Sequence, residues 1–491
     1  MKRNNIYTLI AGISFILFAS CDHYLDLAPH DELDYEAAFE TAQDAEIAVR
    51  GVYYTMHQDY GYYDGQHLIL PDVMSDNLIL CSEGRLTFDL MQNWDIKPGN
   101  YYVGRAWAQP YKVINRANQV IARATDIEAE GDDLLLKNHV LGEAYAIRGM
   151  VYFDLVRYFG KNYADATAAD LGVPYVTDPA PSLPERNTVA ECYENIVSDL
   201  TMGESLMAQG AIDPDEGNTR FSSAAAKAML ARVYLTMEDW SNAISMATDV
   251  INEVPLSTLA EFPDVWLDAS EAGVIFKVRI TEQDNTVTNS GSAIGTYYSQ
   301  TGPSGTRSEH VCSYELAQLF DTTDIRTFSY ISQSEFNGKL FNHVWKYKER
   351  TGAVTPDLVD AKVLRTAEMY LIRAEALVSQ ASPDEVAALA DLNALRAQRY
   401  EPFTAGSETG TGLYNAIQLE RRLELAFEGQ RWFDLKRLGL PVEREDYGDE
   451  ADGGGLHYRA LTLPAGSYLW QLPIPTTEID ANPNITQNDD Y

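Results

Sequence analysis

Three loops of this chain carry side chains suited to holding a sugar. Tyr60, Tyr62 and Tyr63 are flanked by Asp59 and Asp64, Trp94 sits between Asn93 and Asp95, and Tyr297 and Tyr298 precede Gln300, with Arg307 and Glu309 nearby. A sugar ring offers apolar C–H faces and a rim of hydroxyls. Gripping it takes flat aromatics to stack on and carboxylate, amide or guanidinium groups for directed hydrogen bonds. Adjacent residues of an extended stretch point opposite ways, so one of Tyr62 and Tyr63 is expected to face solvent. Trp94 reads either as a stacking platform or as a buried anchor of its loop, because large aromatics are mostly buried. Tyr297 and Tyr298 lie among Gly291, Gly295, Gly302 and Gly305 and read as exposed, which makes them the leading ligand candidates. The expected binding set is Tyr62, Tyr63, Asp64, Trp94, Tyr297, Tyr298, Gln300 and Arg307. Trp107 and Tyr111, four apart on a helix, read as packing.

A second chemistry is covalent. Lys2 and Arg3 begin a basic start, Ile6 to Phe18 form an apolar run, and small Ala19 and Ser20 stand before Cys21. These are the three parts of a secretory signal. Cleavage directly before a cysteine, with Leu17, Ala19 and Ser20 ahead of it, resembles the lipobox of bacterial lipoproteins. Residues 1–20 are therefore expected to be a signal peptide and Cys21 the site of lipidation, where two or three fatty chains anchor far more firmly than one. Residues 21–34 crowd five carboxylates around Pro29 and read as an acidic tether. No later segment offers the run of about 18 apolar residues that a membrane span needs.

Catalytic signatures are missing: there is no Gly-x-Ser-x-Gly elbow, His-Glu-x-x-His, phosphate-binding loop or complete dinucleotide fingerprint. The eight histidines are scattered without ligand spacing. With 73 Asp and Glu residues, pairs of carboxylates are everywhere and carry no glycosidase signal without geometry. Asp213, Asp215 and Gly217 have part of a calcium-loop spacing but lack its bidentate glutamate, so a structural calcium is conceivable and no metal or cofactor is expected. The net charge of −36 repels phosphate backbones and argues against nucleic-acid binding. Beside Cys21, the thiols of Cys81, Cys192 and Cys312 are an odd number and allow at most one disulfide.

These loops need a scaffold, and the hydrophobic periodicity is helical. Leu134 to Phe159 is a long helix closed by Gly160. Thr188 to Met207, Phe221 to Met237 and Trp240 to Asn252 follow, the last two separated by Glu238 and Asp239. Ala224, Ala225, Ala228 and Ala231 permit close helix approach. Two helices and a tight turn in about 34 residues resemble a tetratricopeptide unit. The expected pairs are 41–56 with 105–124, 134–159 with 188–207, 221–237 with 240–252, and 362–379 with 384–399. Periodicity alone fits true repeats and generic helical packing equally. Insertions at 60–102, 254–348, 405–414 and 444–467 are loop-rich, with brief strands such as 274–280 and 344–347. The prediction is a mainly α fold of tetratricopeptide-like helix pairs with a large mixed, loop-rich half, forming one domain over 35–491. Glu420 to Arg437 read as a partly buried ion-pair network locking two helices at Gly429, with Glu424 and Glu428 one turn apart and Arg431 between Glu428 and Asp434.

The segment Leu423 to Leu435, the ending Leu472 to Asn488, the run Arg148 to Gly160, and Thr219 to Leu235 together resemble the SusD/RagB family along essentially the whole mature chain. What the resemblance implies is a lipoprotein on the outer-membrane surface of Bacteroidetes, a SusD-like α superhelix built on four tetratricopeptide-like pairs. Such proteins cap a TonB-dependent, SusC-like transporter and capture glycans for import. Some members take peptides instead, which is the alternative ligand; a surface hydrolase is a third reading. The family supplies no catalytic residues, and its ligand contacts lie in variable loops.

Overall fold

The structure is a computed structural model that describes residues 39–57, 62–212, 214–281, 294–298, 308–348, 350–353 and 358–491. Its frame is a run of helices: α1 (Ala42–Met56), α2 (Gln66–Met74), α3 (Tyr101–Ala124), α4 (Gly131–Phe159), α5 (Val189–Ala208), α6 (Ser223–Thr236), α7 (Trp240–Glu253), α8 (Thr366–Ser379), α9 (Glu385–Arg396), α10 (Gly410–Glu424) and α11 (Arg431–Arg437). From α3 to α9 each helix packs on the one before and the one after it, with α1 closing the start against α3. This is the neighbour-on-neighbour stacking of a helical solenoid.

Local sequence sets where these helices begin. Thr41 caps α1 and Thr188 caps α5, each in a capping box with Asp44 and Glu191 three residues on. Asp239 caps α7 after a turn in which Glu238 takes a left-handed conformation (φ 59°). The α4–α5 crossing is built on glycine. A Cβ at Gly203 would stand 2.6 Å from the Gly142 carbonyl oxygen, and one at Gly142 2.8 Å from the Gly203 oxygen. The backbones therefore touch where any side chain would hold them apart.

The remaining chain folds into short antiparallel pairs: β1 (Leu78–Leu80) with β3 (His310–Cys312), β2 (Val274–Val278) with β6 (Ala361–Arg365), and the hairpin β4 (Ile331–Phe336) with β5 (Lys339–Val344). Residues 362–365 are thus strand, not the helix start expected at Lys362. Every residue of β6 is buried, and a fully buried strand shows no period-2 alternation to mark it. Cys81, Cys192 and Cys312 are buried free thiols. In the β1–β3 ladder Cys312 lies opposite Leu78, while the Cys81 amide meets Glu309 at the other end.

The ion network at the C-terminal helices differs from the sequence expectation. Helix α10 stops at Glu424, and Phe427 (φ 67°) and Gly429 (φ 70°) turn the chain through left-handed conformations. Glu424 and Glu428 therefore do not share a helix face. Buried Glu424 gathers Arg326 (3.2 Å), Arg365 (2.7 Å) and Arg399 (2.9 Å), while Glu428 takes Lys346 and Arg365. Arg431 goes to Asp76 at 2.8 Å, and Asp434 to Arg421 and Arg437. The three arginines on Glu424 arrive from distant stretches of chain, so the network clamps the loop-rich half to the helices. At Gly429 a side chain would press on the Leu68 backbone at 3.1 Å.

Candidate aromatic binding site

Most of the aromatic residues expected to stack on a ligand lie inside. Tyr62 and Tyr63 are both buried, and both hydroxyls donate to one Asp154 oxygen, at 2.6 and 2.9 Å. The expectation that one would face solvent fails because Asp154, braced by His67 and Arg157, draws both phenols inward. Burial first, and then the Asp154 charge, pushes both phenols well above the usual tyrosine range. Trp94 follows the anchoring alternative: it is buried, its indole N–H donates to the Met74 carbonyl at 3.0 Å, and Arg444 lies 4.2 Å over its ring. Tyr298 is buried against Tyr347, the ring centroids 6.0 Å apart and nearly parallel, so it too is corrected from surface to core. Asp64 is 4% exposed and accepts from the Tyr62 amide. Gln300 and Arg307 lie outside the described residues, as do Asp59, Tyr60 and Cys21 with the signal and tether.

Tyr297 remains at the surface edge, half-buried, and it marks a second aromatic group. Helix α3 begins there: the Asn100 side chain accepts from the Tyr102 amide at 2.8 Å, which sets Tyr101 and Tyr102 at the helix start. Tyr101 is 65% exposed, with its ring centroid 5.4 Å from that of Tyr102. Beneath them buried Phe88 is the hub, 4.3 Å from Tyr102, 5.9 Å from Tyr297 and 5.6 Å from His310.

Backbone and side-chain bonds hold this group together. The Glu309 amide donates to the Tyr297 carbonyl at 2.9 Å, joining the short helix Ile294–Tyr298 to β3. Burial brings His310 down to about 4, leaving it neutral near pH 7, so its Nε2 donates to the Thr87 carbonyl at 3.1 Å. Glu309 accepts from the Arg85 amide and from Arg85 Nε. Arg105, one turn along α3 from Tyr101, donates to the Tyr101 hydroxyl at 2.8 Å. The Tyr297 phenol is held high first by burial, then by Asp64 and Tyr102, and is drawn back by Arg105 and Arg85. An exposed ring, two half-buried phenols and two guanidiniums thus meet on one patch. That combination can stack on a flat apolar face and hydrogen-bond its rim.

A larger cleft, about 1070 Å³, runs between α3 and the proline-rich strap 174–184. It offers no open aromatic face: Trp107 is buried with its N–H on Glu478, and the Tyr111 hydroxyl is held by the Pro174 carbonyl. Three of its amides are already engaged, Gln119 on Asn115, Asn115 on the Pro179 carbonyl and Asn118 on the Val176 carbonyl. We therefore place the candidate site at Tyr101, Tyr102 and Tyr297. Sequence reasoning passed over Tyr101, Tyr102, Arg85 and Arg105, although an Asn cap followed by two tyrosines at a helix start was a readable signal.

Fold and patch together define a helical-repeat scaffold that presents a loop-built aromatic surface. Comparison with known proteins gives the kinship. Residues 23–235 match a family model described as starch-binding associating with outer membrane, and residues 336–491 match the model of the SusD family. SusD-like protein P2 of Formosa agariphila is 28% identical over 99% of both chains. The starch-binding protein SusD of Bacteroides thetaiotaomicron is 32% identical over 28% of this chain and 23% of its own. Among solved structures, a putative sugar-binding protein of Bacteroides vulgatus superposes with a TM-score of 0.80 at 28% identity, covering 92% of this chain and 99% of that one. A SusD superfamily protein of Bacteroides thetaiotaomicron gives 0.79 at 28% identity, covering 91% and 99%. This chain belongs to the SusD/RagB family.

Proposed function

We propose that the protein captures oligo- or polysaccharide at the cell surface and passes it to a TonB-dependent, SusC-like transporter in the outer membrane. It acts by binding and not by turnover, tethered by a lipid on Cys21. The observation that carries this reading is the exposed Tyr101 ring beside Tyr102, Tyr297 and two arginines, a set that suits a sugar's apolar face and hydroxyl rim. The printed descriptions of relatives as starch-binding and sugar-binding support it. Among the described residues no helix is long and apolar enough to cross a membrane, which is compatible with an N-terminal lipid as the attachment.

Affinity electrophoresis and calorimetry against panels of oligosaccharides and of peptides test the reading. Retardation by at least one glycan, without turnover, is expected. Binding of peptides alone would replace the glycan with a peptide cargo, and product formation from any bound sugar would reopen the hydrolase reading.

A further inference from the structure

Most arginines of the described chain have a fixed partner. Arg148, Arg157, Arg220 and Arg232 each pair with a buried carboxylate, and Arg444 donates to main-chain carbonyls. The two arginines at the aromatic patch are arranged differently.

Arg105 is half-buried, and among the described residues no carboxylate pairs with it. One terminal nitrogen donates to the Tyr101 hydroxyl, and the other is shielded from water with no acceptor. Arg105 therefore serves the patch through the Tyr101 hydroxyl, which its open terminal nitrogen fixes, while its other nitrogen lies beneath the surface. Arg85 is held by one edge. Its Nε sits on Glu309 at 2.5 Å, and Glu309 is itself fixed by the Arg85 and Thr87 amides. The Arg85 side chain is nonetheless 65% exposed, against 2% for Glu309. With Nε anchored, the two-pronged edge of the guanidinium is presented to solvent. That edge matches a carboxylate or sulfate group bidentately. Helix α3 adds its positive end at the same place, with no acidic residue in its first turn.

We infer that the captured sugar is anionic, bearing a carboxylate or sulfate ester received by the open edge of Arg85 beside the Tyr101 ring that Arg105 holds in place. This rests on the glycan reading above and names the class of sugar. The net charge of −36 opposes the idea only at long range. At physiological ionic strength screening acts within about 8 Å, so contact-range guanidinium bonds decide. Asp64 is buried and Glu309 is already engaged, so an arriving anion meets the Arg85 guanidinium edge first.

The test uses the full mature chain and three oligosaccharide arms of equal length: an oligogalacturonate, a sulfated galactan oligomer and a neutral galactan oligomer. Calorimetry is run on the wild type, Arg85→Gln and Tyr101→Ala, with circular dichroism as the folding check. One anionic arm is expected to bind at least tenfold tighter than the neutral arm, and which arm does so identifies carboxylate or sulfate. Arg85→Gln is expected to bring the anionic-to-neutral affinity ratio close to one, whereas Tyr101→Ala weakens every bound arm and leaves the ratio standing. Equal affinity for neutral and anionic arms, or a ratio that survives Arg85→Gln, overturns the anionic assignment and leaves glycan capture intact. No binding in any arm, with no retardation across the wider glycan panel, overturns both.

Discussion

At the scale of single residues, exposure separates a binding ring from a structural one. Tyr101 touches solvent over most of its surface, whereas Tyr63 is closed on Asp154. Tyr101→Ala should lower affinity for the bound glycan by about 2- to 12-fold, the worth of roughly 0.5–1.5 kcal/mol for one aromatic contact, with little change in melting temperature. Tyr63→Phe removes a buried hydrogen bond and should cost about 1 kcal/mol of stability in a denaturant titration, without altering affinity. Lys436 gives a pH signature. It is buried and donates to the Arg157 and Gly160 carbonyls, and burial, then Arg157, brings its ammonium down to about 7 from an ordinary 10.5. The folded protein therefore binds fewer protons than the unfolded chain between about pH 7 and 10.5, so this group's contribution to stability rises with pH across that window. The slope is at most about 1.4 kcal/mol per pH unit. Denaturant midpoints measured at pH 7, 8 and 9 should diverge between wild type and Lys436→Met, the variant lacking this increment. Parallel profiles would contradict the assignment.

At the scale of elements, helix crossings and turns carry the specificity of the fold. The α4–α5 contact depends on Gly142 and Gly203 lying backbone to backbone. Gly203→Leu should force the helices apart and destabilise the protein by about 1–3 kcal/mol or more, as overpacking does, visible as a lowered denaturation midpoint. A midpoint equal to wild type would mean that the crossing is looser than the geometry indicates. The same logic explains the C-terminal network. Sequence spacing placed Glu424 and Glu428 on one helix, but two left-handed residues end that helix and send the carboxylates to cations from other elements. Charges spaced along a sequence name the members of such a network. Their pairing depends on which strands and helices arrive opposite them.

At the scale of the whole molecule, the helical run is a rigid support, and the loop-rich half supplies the patch. Its parts come from residues 85–88, the start of α3, the short helix Ile294–Tyr298 and β3, joined by bonds such as Arg85 to Glu309 and His310 to Thr87. The proposed lipid on Cys21 would hold this body at the membrane. Cys21→Ala should move the protein from the membrane pellet to the soluble fraction after export, as followed by fractionation and immunoblotting; retention in the pellet would contradict the anchor. Wild-type protein extracted in mild detergent should also co-purify with a β-barrel transporter.

The sequence alone carried the helical frame, because amphipathic period and caps such as Thr41, Thr188 and Asp239 are local signals. Its spread of family motifs likewise pointed to SusD/RagB, as the comparisons bear out. It also named the loops that build the patch, but not which of their rings would be exposed. Tyr62, Tyr63, Trp94 and Tyr298 have the same chemistry as Tyr101. Partners far away in the chain decide their fate: Asp154 for the first two, the Met74 carbonyl for Trp94, Tyr347 for Tyr298. Burial is a property of the assembled surface and not of a residue's neighbours in sequence, so only the tertiary structure could move the candidate site to Tyr101, Tyr102 and Tyr297.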